Sequence, residues 1–201
     1  MMGDSRQFKD FFWTVRDNKS IFDLGDTDLW EGRVTKVLYL HGGLHLFRHN
    51  ADGTTFKKIA QQHQDLLSLF DEWDDAIPLF ISEGTWKDKQ SAINRNQYLS
   101  FAYERFSKHR GSLVVFGHSL SPDFDQHLLN AINKWRRYDQ RRMAGGHVHR
   151  LVSISVYPGM GSAEIIALKN RLIAALPQCE VLFFDSTTCP LGLPEIQIPH
   201  A

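Results

Sequence analysis

Five short apolar runs recur along the chain, and their length is typical of buried β-strands. Most of them are continuous rather than alternating, a pattern that favours strands covered on both faces of a parallel sheet. The predicted strands are Lys36–Leu40, Pro78–Ser82, Leu113–Phe116, Leu151–Val156 and Glu180–Phe184.

The segments between these runs carry apolar residues at every third or fourth position, which is the period of a helix with one buried face. The predicted helices are Lys89–Lys108, Pro122–Tyr138 and Ser162–Leu176, and Pro177 ends the last of them. Strands that alternate with helices form right-handed βαβ units. We therefore predict an α/β fold, a three-layer, mostly parallel Rossmann-like sheet of about five strands with helices on both faces.

Two parts of the chain deviate from this alternation. Leu44–Arg48 and Thr54–Ile59 flank the sequence HNADG, whose Asp-Gly pair is a turn signal, and they predict a β-hairpin insertion. The first 30 residues are rich in Phe and Trp without a clean period. We expect them to form a helix and a loop packed over the sheet.

Composition narrows the class of protein. Lys plus Arg and Asp plus Glu are balanced at 23 each, so the charge favours neither a nucleic-acid nor a membrane partner. The two cysteines, Cys179 and Cys189, lack metal-type spacing, and the N-terminus lacks the apolar core of a signal peptide. With 201 residues the chain is predicted to be one domain, residues 1–201, in the cytoplasm.

Polar or glycine-bearing clusters follow four of the predicted strands. Because ligands bind beyond the carboxyl ends of parallel strands, four clusters on one edge predict a shared site. The clusters are His41-Gly42-Gly43, Glu83-Gly84-Thr85, Gly117–Ser121 and Asp185–Thr188. Gly42 and Gly117 would let the backbone approach a ligand that any Cβ would crowd.

The segment SLVVFGHSLSPDFD, Ser112–Asp125, is compatible with two chemistries. It predicts a strand, a tight loop, an N-cap at Ser121 and a helix beginning at Pro122, and such a helix start attracts anions. Ser119 could also be the nucleophile of a serine hydrolase, with His41-Gly-Gly as oxyanion loop and Asp185 and His200 completing the triad. Ser121 in place of the last elbow glycine, and a base at the penultimate residue, disfavour that alternative.

The histidines at positions 41, 45 and 49 would align as metal ligands on a helix. The paired glycines and the β pattern that follows argue against a helix here. On a strand the three rings would spread too far to converge, so no metal site is predicted.

Longer blocks of the chain carry a resemblance to a known family. YLHGGLHLF, PLFISEGTWKDKQSAINRNQYLSFAYE, LVVFGHSLSPDFDQHLLNAI, VSISVYPG and FFDSTTCPLG are similar to a bacterial group of domains of unknown function. That group lies within or near the sirtuin-like NAD-binding superfamily, whose C-terminal half the chain resembles from about Phe8 to Ile198.

The resemblance implies a Rossmann-like fold that binds NAD or another ADP-ribosyl compound. His41 would match the catalytic histidine, a general base near the nicotinamide ribose. Together with the residues of the strand-end clusters, the predicted cofactor-binding residues are Gly42, Gly117, His118, Ser119, Leu120, Asp125 (or Asp123), Asp185 and Ser186. Of these, Gly117, Ser119 and Leu120 would contact the ribose and phosphates, and Asp185, Ser186 and Thr187 would lie near the adenosine end.

The chain departs from sirtuin-like domains in lacking a strand with a Gly-rich turn before His41. It therefore resembles a domain without the family's N-terminal Gly-rich half, and a homodimer or another partner is expected to complete the sheet. Three functions follow: NAD hydrolysis, non-catalytic nucleotide binding or protein interaction, and serine hydrolysis through Ser119.

Overall fold

The computed structural model describes residues 8–16, 19–27, 35–58, 75–134 and 150–189. The chain divides into two compact units, Met1–Phe106 and Ser107–Ala201, which are described one at a time below. The single domain expected from the sequence stays a prediction.

The N-terminal unit is built on an antiparallel sheet. Its five strands lie in the order β2-β3-β6-β5-β7, and a separate two-stranded parallel sheet pairs β1 with β4. The strands are β1 (Phe8–Lys9), β2 (Thr14–Arg16), β3 (Lys19–Ile21), β4 (Thr35–Lys36), β5 (Gly42–His49), β6 (Thr55–Lys57) and β7 (Ala76–Phe80).

The prediction of a mostly parallel, Rossmann-like sheet is wrong, because the sheets are mixed and the five-stranded one is antiparallel. The connections give the physical reason. Parallel neighbours need a crossover of about a dozen residues, whereas only residues 50–54 separate β5 from β6. The predicted strand Lys36–Leu40 is also shorter than expected, since β4 ends at Lys36 and a turn at residues 40–41 leads into β5.

The predicted hairpin is confirmed, although it forms the middle of the antiparallel sheet rather than an insertion. β5 and β6 pair with Phe47 opposite Phe56. The turn uses the Asp-Gly pair as expected: the Asp52 carboxylate accepts from the Thr54 N–H at 2.9 Å, and Gly53 adopts a φ of +71°.

The first 30 residues do not contain the predicted helix within their described part. β2 and β3 instead extend the antiparallel sheet, and a short 3-10 turn follows at Leu24–Asp26. Three aromatic side chains of this segment are nevertheless core residues, because Phe11, Phe12 and Phe22 are buried against Tyr98 and Phe101.

The helices that follow β7 are α1 (Trp86–Asn94) and α2 (Gln97–Lys108), where the sequence predicted one continuous helix. Buried Asn96 separates them. Its side-chain oxygen accepts from the Leu99 N–H at 3.0 Å, which caps α2, while its amide donates to Thr55 Oγ1 at 2.9 Å. The break therefore fixes the helix pair to the antiparallel sheet.

The C-terminal unit keeps the predicted alternation of strand and helix. Its three parallel strands lie in the order β10-β9-β8. The elements are β8 (Leu113–Val115), α3 (Pro122–Asn133), β9 (Arg150–Val156), α4 (Ser162–Ala175) and β10 (Cys179–Asp185). The predicted end of α3, residues 135–138, lies outside the described residues.

The two helices of this unit contact each other and the sheet. The Asn133 amide at the end of α3 donates to the Ala175 carbonyl at the end of α4, at 2.8 Å. Buried Arg150 at the start of β9 donates to the Gly111 carbonyl at 3.0 Å. These contacts fix the amino ends of the strands and leave the carboxyl ends for the loops.

No helix in the described part of the chain is long and apolar enough to cross a membrane.

Candidate functional site

The loop after β8 opens with a glycine in the left-handed region. Gly117 has a φ of +66°, and its N–H donates to Ser155 Oγ on β9 at 3.0 Å. A Cβ built on Gly117 would meet nothing within 4 Å. The glycine is therefore needed for its conformation, and the space beside it is open.

The next residues hold the loop in place. His118 Nδ1 accepts from the Leu120 N–H at 3.0 Å. Leu120 has a φ of +46°, rare for a residue with a side chain, and that side chain is buried. Burial of the Leu120 side chain stabilises this strained backbone conformation, while Ser119 beside it stays exposed.

The entry to α3 differs in detail from the prediction. Pro122 stands at the start of the helix as expected, but the Ser121 side chain makes no capping hydrogen bond. Asp125 interrupts the helix with a φ of −133° and a ψ of 19°, and its N–H donates to the Ser121 carbonyl at 2.6 Å. Asp125 is buried, so it belongs to the support of this turn rather than to an open surface.

A pocket of about 740 Å³ opens at the carboxyl edge of this parallel sheet. Residues after all three strands reach it, together with one stripe of α4. The lining residues are Phe116, Gly117, His118, Ser119, Ser155, Tyr157, Met160, Glu164, Ala167, Leu168, Arg171 and Ser186.

Two charged residues mark the stripe of α4 that faces the pocket. The Arg171 guanidinium donates through Nη2 to the Ser119 carbonyl at 2.9 Å and so ties α4 to the β8 loop. Near the start of α4, one carboxylate oxygen of Glu164 accepts from the Gly161 N–H at 3.1 Å. These two side chains give the pocket opposite charges at two points along one helix.

Asp185, at the end of β10, has a structural role. Its Oδ1 accepts from both the N–H and the hydroxyl of Thr187, at 2.8 and 2.7 Å, and so caps the 3-10 turn Ser186–Thr188. The hydrogen bond from the Thr187 hydroxyl lowers the pKa of Asp185 most, and the bond from the Thr187 N–H lowers it further. Asp185 lines a smaller cavity of about 190 Å³ with Lys169 and Phe183.

The residues predicted for the site divide into three groups. Gly117, His118, Ser119 and Ser186 line the large pocket. Leu120 and Asp125 are buried behind the loop, and Asp185 lines the smaller cavity. His41 and Gly42 belong to the N-terminal unit, so the expectation that His41 and Ser119 share one pocket stays a prediction.

His41-Gly42-Gly43 was predicted to lie beyond the end of a strand in a large parallel sheet. Instead, His41 lies in the turn between β4 and β5, and Gly42 and Gly43 are the first residues of antiparallel β5. Gly42 has a φ of +76°, and a Cβ there would stand 1.9 Å from the Leu79 carbonyl oxygen. A Cβ on Gly43 would stand 2.9 Å from the His45 ring. The glycine pair is thus explained by close packing against β7 and His45.

His45 lies two residues after the glycine pair and is half-buried. Burial lowers the pKa of His45, and the nearby Lys57 charge lowers it further. The edge of the His45 ring packs on Tyr39, with ring centroids 4.6 Å apart. No group of three or more His, Cys, Asp or Glu side chains in the described residues could hold a metal ion.

Sequence reasoning missed Tyr157, Glu164 and Arg171 as pocket residues. Glu164 and Arg171 lie seven positions apart and share a stripe with Ala167 and Leu168, of which Leu168 also belongs to the apolar stripe that predicted the helix. That spacing could have identified the stripe, but only the fold shows that it faces the β8 loop.

The fold and the pocket define an α/β protein with a ligand-sized site at the carboxyl edge of a short parallel sheet. The chain belongs to the family described as a domain of unknown function (DUF4917), whose model matches residues 2–191. No curated protein and no solved structure matches the chain. The family match carries no link to sirtuin-like proteins, so that resemblance stays a prediction.

Proposed function

We propose that the chain binds a nucleotide of the NAD or ADP-ribosyl class in the pocket of its C-terminal unit. The observation that carries the proposal is the β8 loop, where a left-handed glycine stands beside open space and the next two residues line the pocket. Ligand sites of α/β proteins lie at this edge of the sheet.

The size and chemistry of the pocket support this class of ligand. Small-molecule sites range from roughly 300 to 1,000 Å³, and this pocket holds about 740 Å³. Arg171 suits a phosphate, since its guanidinium can donate two parallel hydrogen bonds. The exposed ring of Tyr157 offers a surface for a base, and the Ser119 and Ser186 hydroxyls can bond a ribose or phosphate.

Serine hydrolysis through Ser119 is less well supported by the local backbone. A nucleophile elbow strains the turn that carries the serine. Here the positive φ angles fall on Gly117 and Leu120, the neighbours of Ser119 in this loop. His118 Nδ1 already accepts from the Leu120 N–H, and His200 lies outside the described residues. We therefore assign Ser119 the role of a hydrogen-bond donor.

Isothermal titration of the chain with ADP-ribose and NAD tests the proposal. Ser119→Ala should weaken ADP-ribose binding by about 1 kcal/mol, the value of one neutral hydrogen bond, or roughly fivefold. Ser112→Ala is the matched control, because Ser112 is exposed just before β8 and should leave affinity unchanged. Absence of heat and of a thermal shift with both ligands would refute the proposal.

NAD hydrolysis is the catalytic form of the proposal, and the resemblance to sirtuin-like domains implies His41 as its general base. Nicotinamide release, followed by chromatography, measures it directly. His41→Ala should abolish release while ADP-ribose binding persists. Binding without any release by the unmodified chain would leave a nucleotide-binding module and exclude the hydrolase.

A further inference from the structure

We infer that the pocket orients its ligand along α4, with the phosphate at Arg171 and a hydrogen-bond donor of the base at Glu164. This inference rests on the proposed function and adds to it the class and direction of the ligand. The favoured ligand is a nucleotide whose base carries an exocyclic amine.

The positions of the two charged residues carry the argument. Glu164 and Arg171 are seven residues apart on one face of α4, which places their backbones about 10 Å apart along the helix axis. Ala167 and Leu168 lie between them and also line the pocket. A ligand on this stripe therefore meets a carboxylate, an apolar surface and a guanidinium in succession.

The Arg171 guanidinium has hydrogen-bond donors available for a ligand. Of its five N–H groups, the structure uses one, from Nη2 to the Ser119 carbonyl. Within the described part of the chain, no carboxylate forms an ion pair with Arg171. The remaining donors suit a phosphate, and the bond to Ser119 holds the guanidinium toward the same loop.

Glu164, near the start of α4, can accept a hydrogen bond from the base of the ligand. Its Oε2 caps the start of α4 by accepting from the Gly161 N–H, and its carboxylate can accept further hydrogen bonds. A carboxylate is acceptor-only when ionised, so it favours an amine over a carbonyl in the facing ligand group. AMP offers an amine at this place on the base, whereas IMP offers a carbonyl.

Equilibrium binding of AMP, adenosine and IMP to three chains tests the orientation. The unmodified chain should bind AMP about 10- to 100-fold more tightly than adenosine, the effect of a charge-assisted hydrogen bond. Arg171→Gln should reduce this ratio to within about threefold, because loss of the phosphate contact affects AMP alone, whereas loss of the bond to the Ser119 carbonyl affects both ligands. Arg110→Gln, an exposed arginine outside the pocket, should keep the ratio.

Glu164→Gln tests the other end, since glutamine can still cap the helix. It should lower the preference for AMP over IMP at least about fivefold while leaving the ratio of AMP to adenosine unchanged. A ratio of two affinities measured on the same variant is unaffected by a general loosening of the β8 loop, because the loosening weakens binding of both ligands. A thermal melt of each variant verifies folding.

The outcomes separate the two claims. AMP binding with ratios that neither substitution changes would overturn the orientation and keep the proposed function. An equal loss of affinity for AMP and adenosine in Arg171→Gln would show that Arg171 only supports the loop structure, and it would also overturn the orientation. An unmodified chain that binds none of the three ligands, nor ADP-ribose, would overturn both.

Discussion

Gly42→Ala should destabilise the chain by at least about 3 kcal/mol in urea unfolding. The added Cβ would stand 1.9 Å from the Leu79 carbonyl oxygen and 2.8 Å from its carbon, and both are backbone atoms of a paired strand. Gly42 also holds a φ of +76°, which adds the strain of a left-handed alanine. Neither strand can yield without breaking the pairing of Gly42 with Phe80.

Gly53→Ala provides the control for Gly42→Ala. Gly53 lies in the same unit and has a similar φ of +71°, but nothing stands within 4 Å of its added Cβ. Its substitution should cost only the conformational strain, about 1–2 kcal/mol. Equal losses in the two variants would show that the approach to Leu79 is unimportant for stability.

Gly117→Val should lower the affinity for ADP-ribose by about 100-fold or more. The open space beside Gly117 is part of the pocket, and a valine side chain there would occupy the place proposed for the ligand. Since an added Cβ meets nothing within 4 Å, the main loss of stability should come from the strain of a β-branched residue at a φ of +66°.

Gly117→Ala separates the strain from the steric block. Alanine carries the strain of a left-handed residue with a Cβ, about 1–2 kcal/mol, but lacks the two γ-methyl groups of valine. Its affinity should therefore lie between those of the valine variant and the unmodified chain. Titration calorimetry measures affinity, and circular dichroism verifies folding of both variants. Unchanged affinity in the valine variant would exclude this loop from the site.

The C-terminal unit could be predicted from sequence because its signals are local. The helical periods of Pro122–Asn133 and Ser162–Ala175 lie between apolar runs, and a helix of that length supplies the crossover that parallel strands require. The strand, glycine and helix around Gly117 follow one another in the chain, so the loop at the pocket was also predictable.

The N-terminal unit could not be predicted in the same way. A continuous apolar run such as Ile77–Phe80 gives no strand direction, and of this run only Leu79 is buried, whereas Ile77 and Phe80 are exposed. The partner strand β5 is distant in sequence. The aromatic residues Phe11, Phe12 and Phe22 have no period because they enter the core from strands and turns. Composition identified them as core residues without giving their conformation.

The candidate site was predictable only on its loop side. Arg171 lies 52 positions after Ser119, and no pattern in either segment indicates that its guanidinium reaches the Ser119 carbonyl. Gly42 was predicted to let the backbone approach a ligand, whereas the structure gives a packing reason for this glycine, the approach to Leu79. Convergence of distant segments is a property of the fold and not of local sequence.

An amide chemical-shift titration with ADP-ribose tests the central claim most directly. The nucleotide site predicts saturable shifts of the Gly117 and Ser119 amides in the β8 loop and of Ser186 after β10, even if affinity is only millimolar. The same titration of Gly117→Val should lose them. Shifts confined to the N-terminal unit, or none at saturating ligand, would contradict a nucleotide site in this pocket.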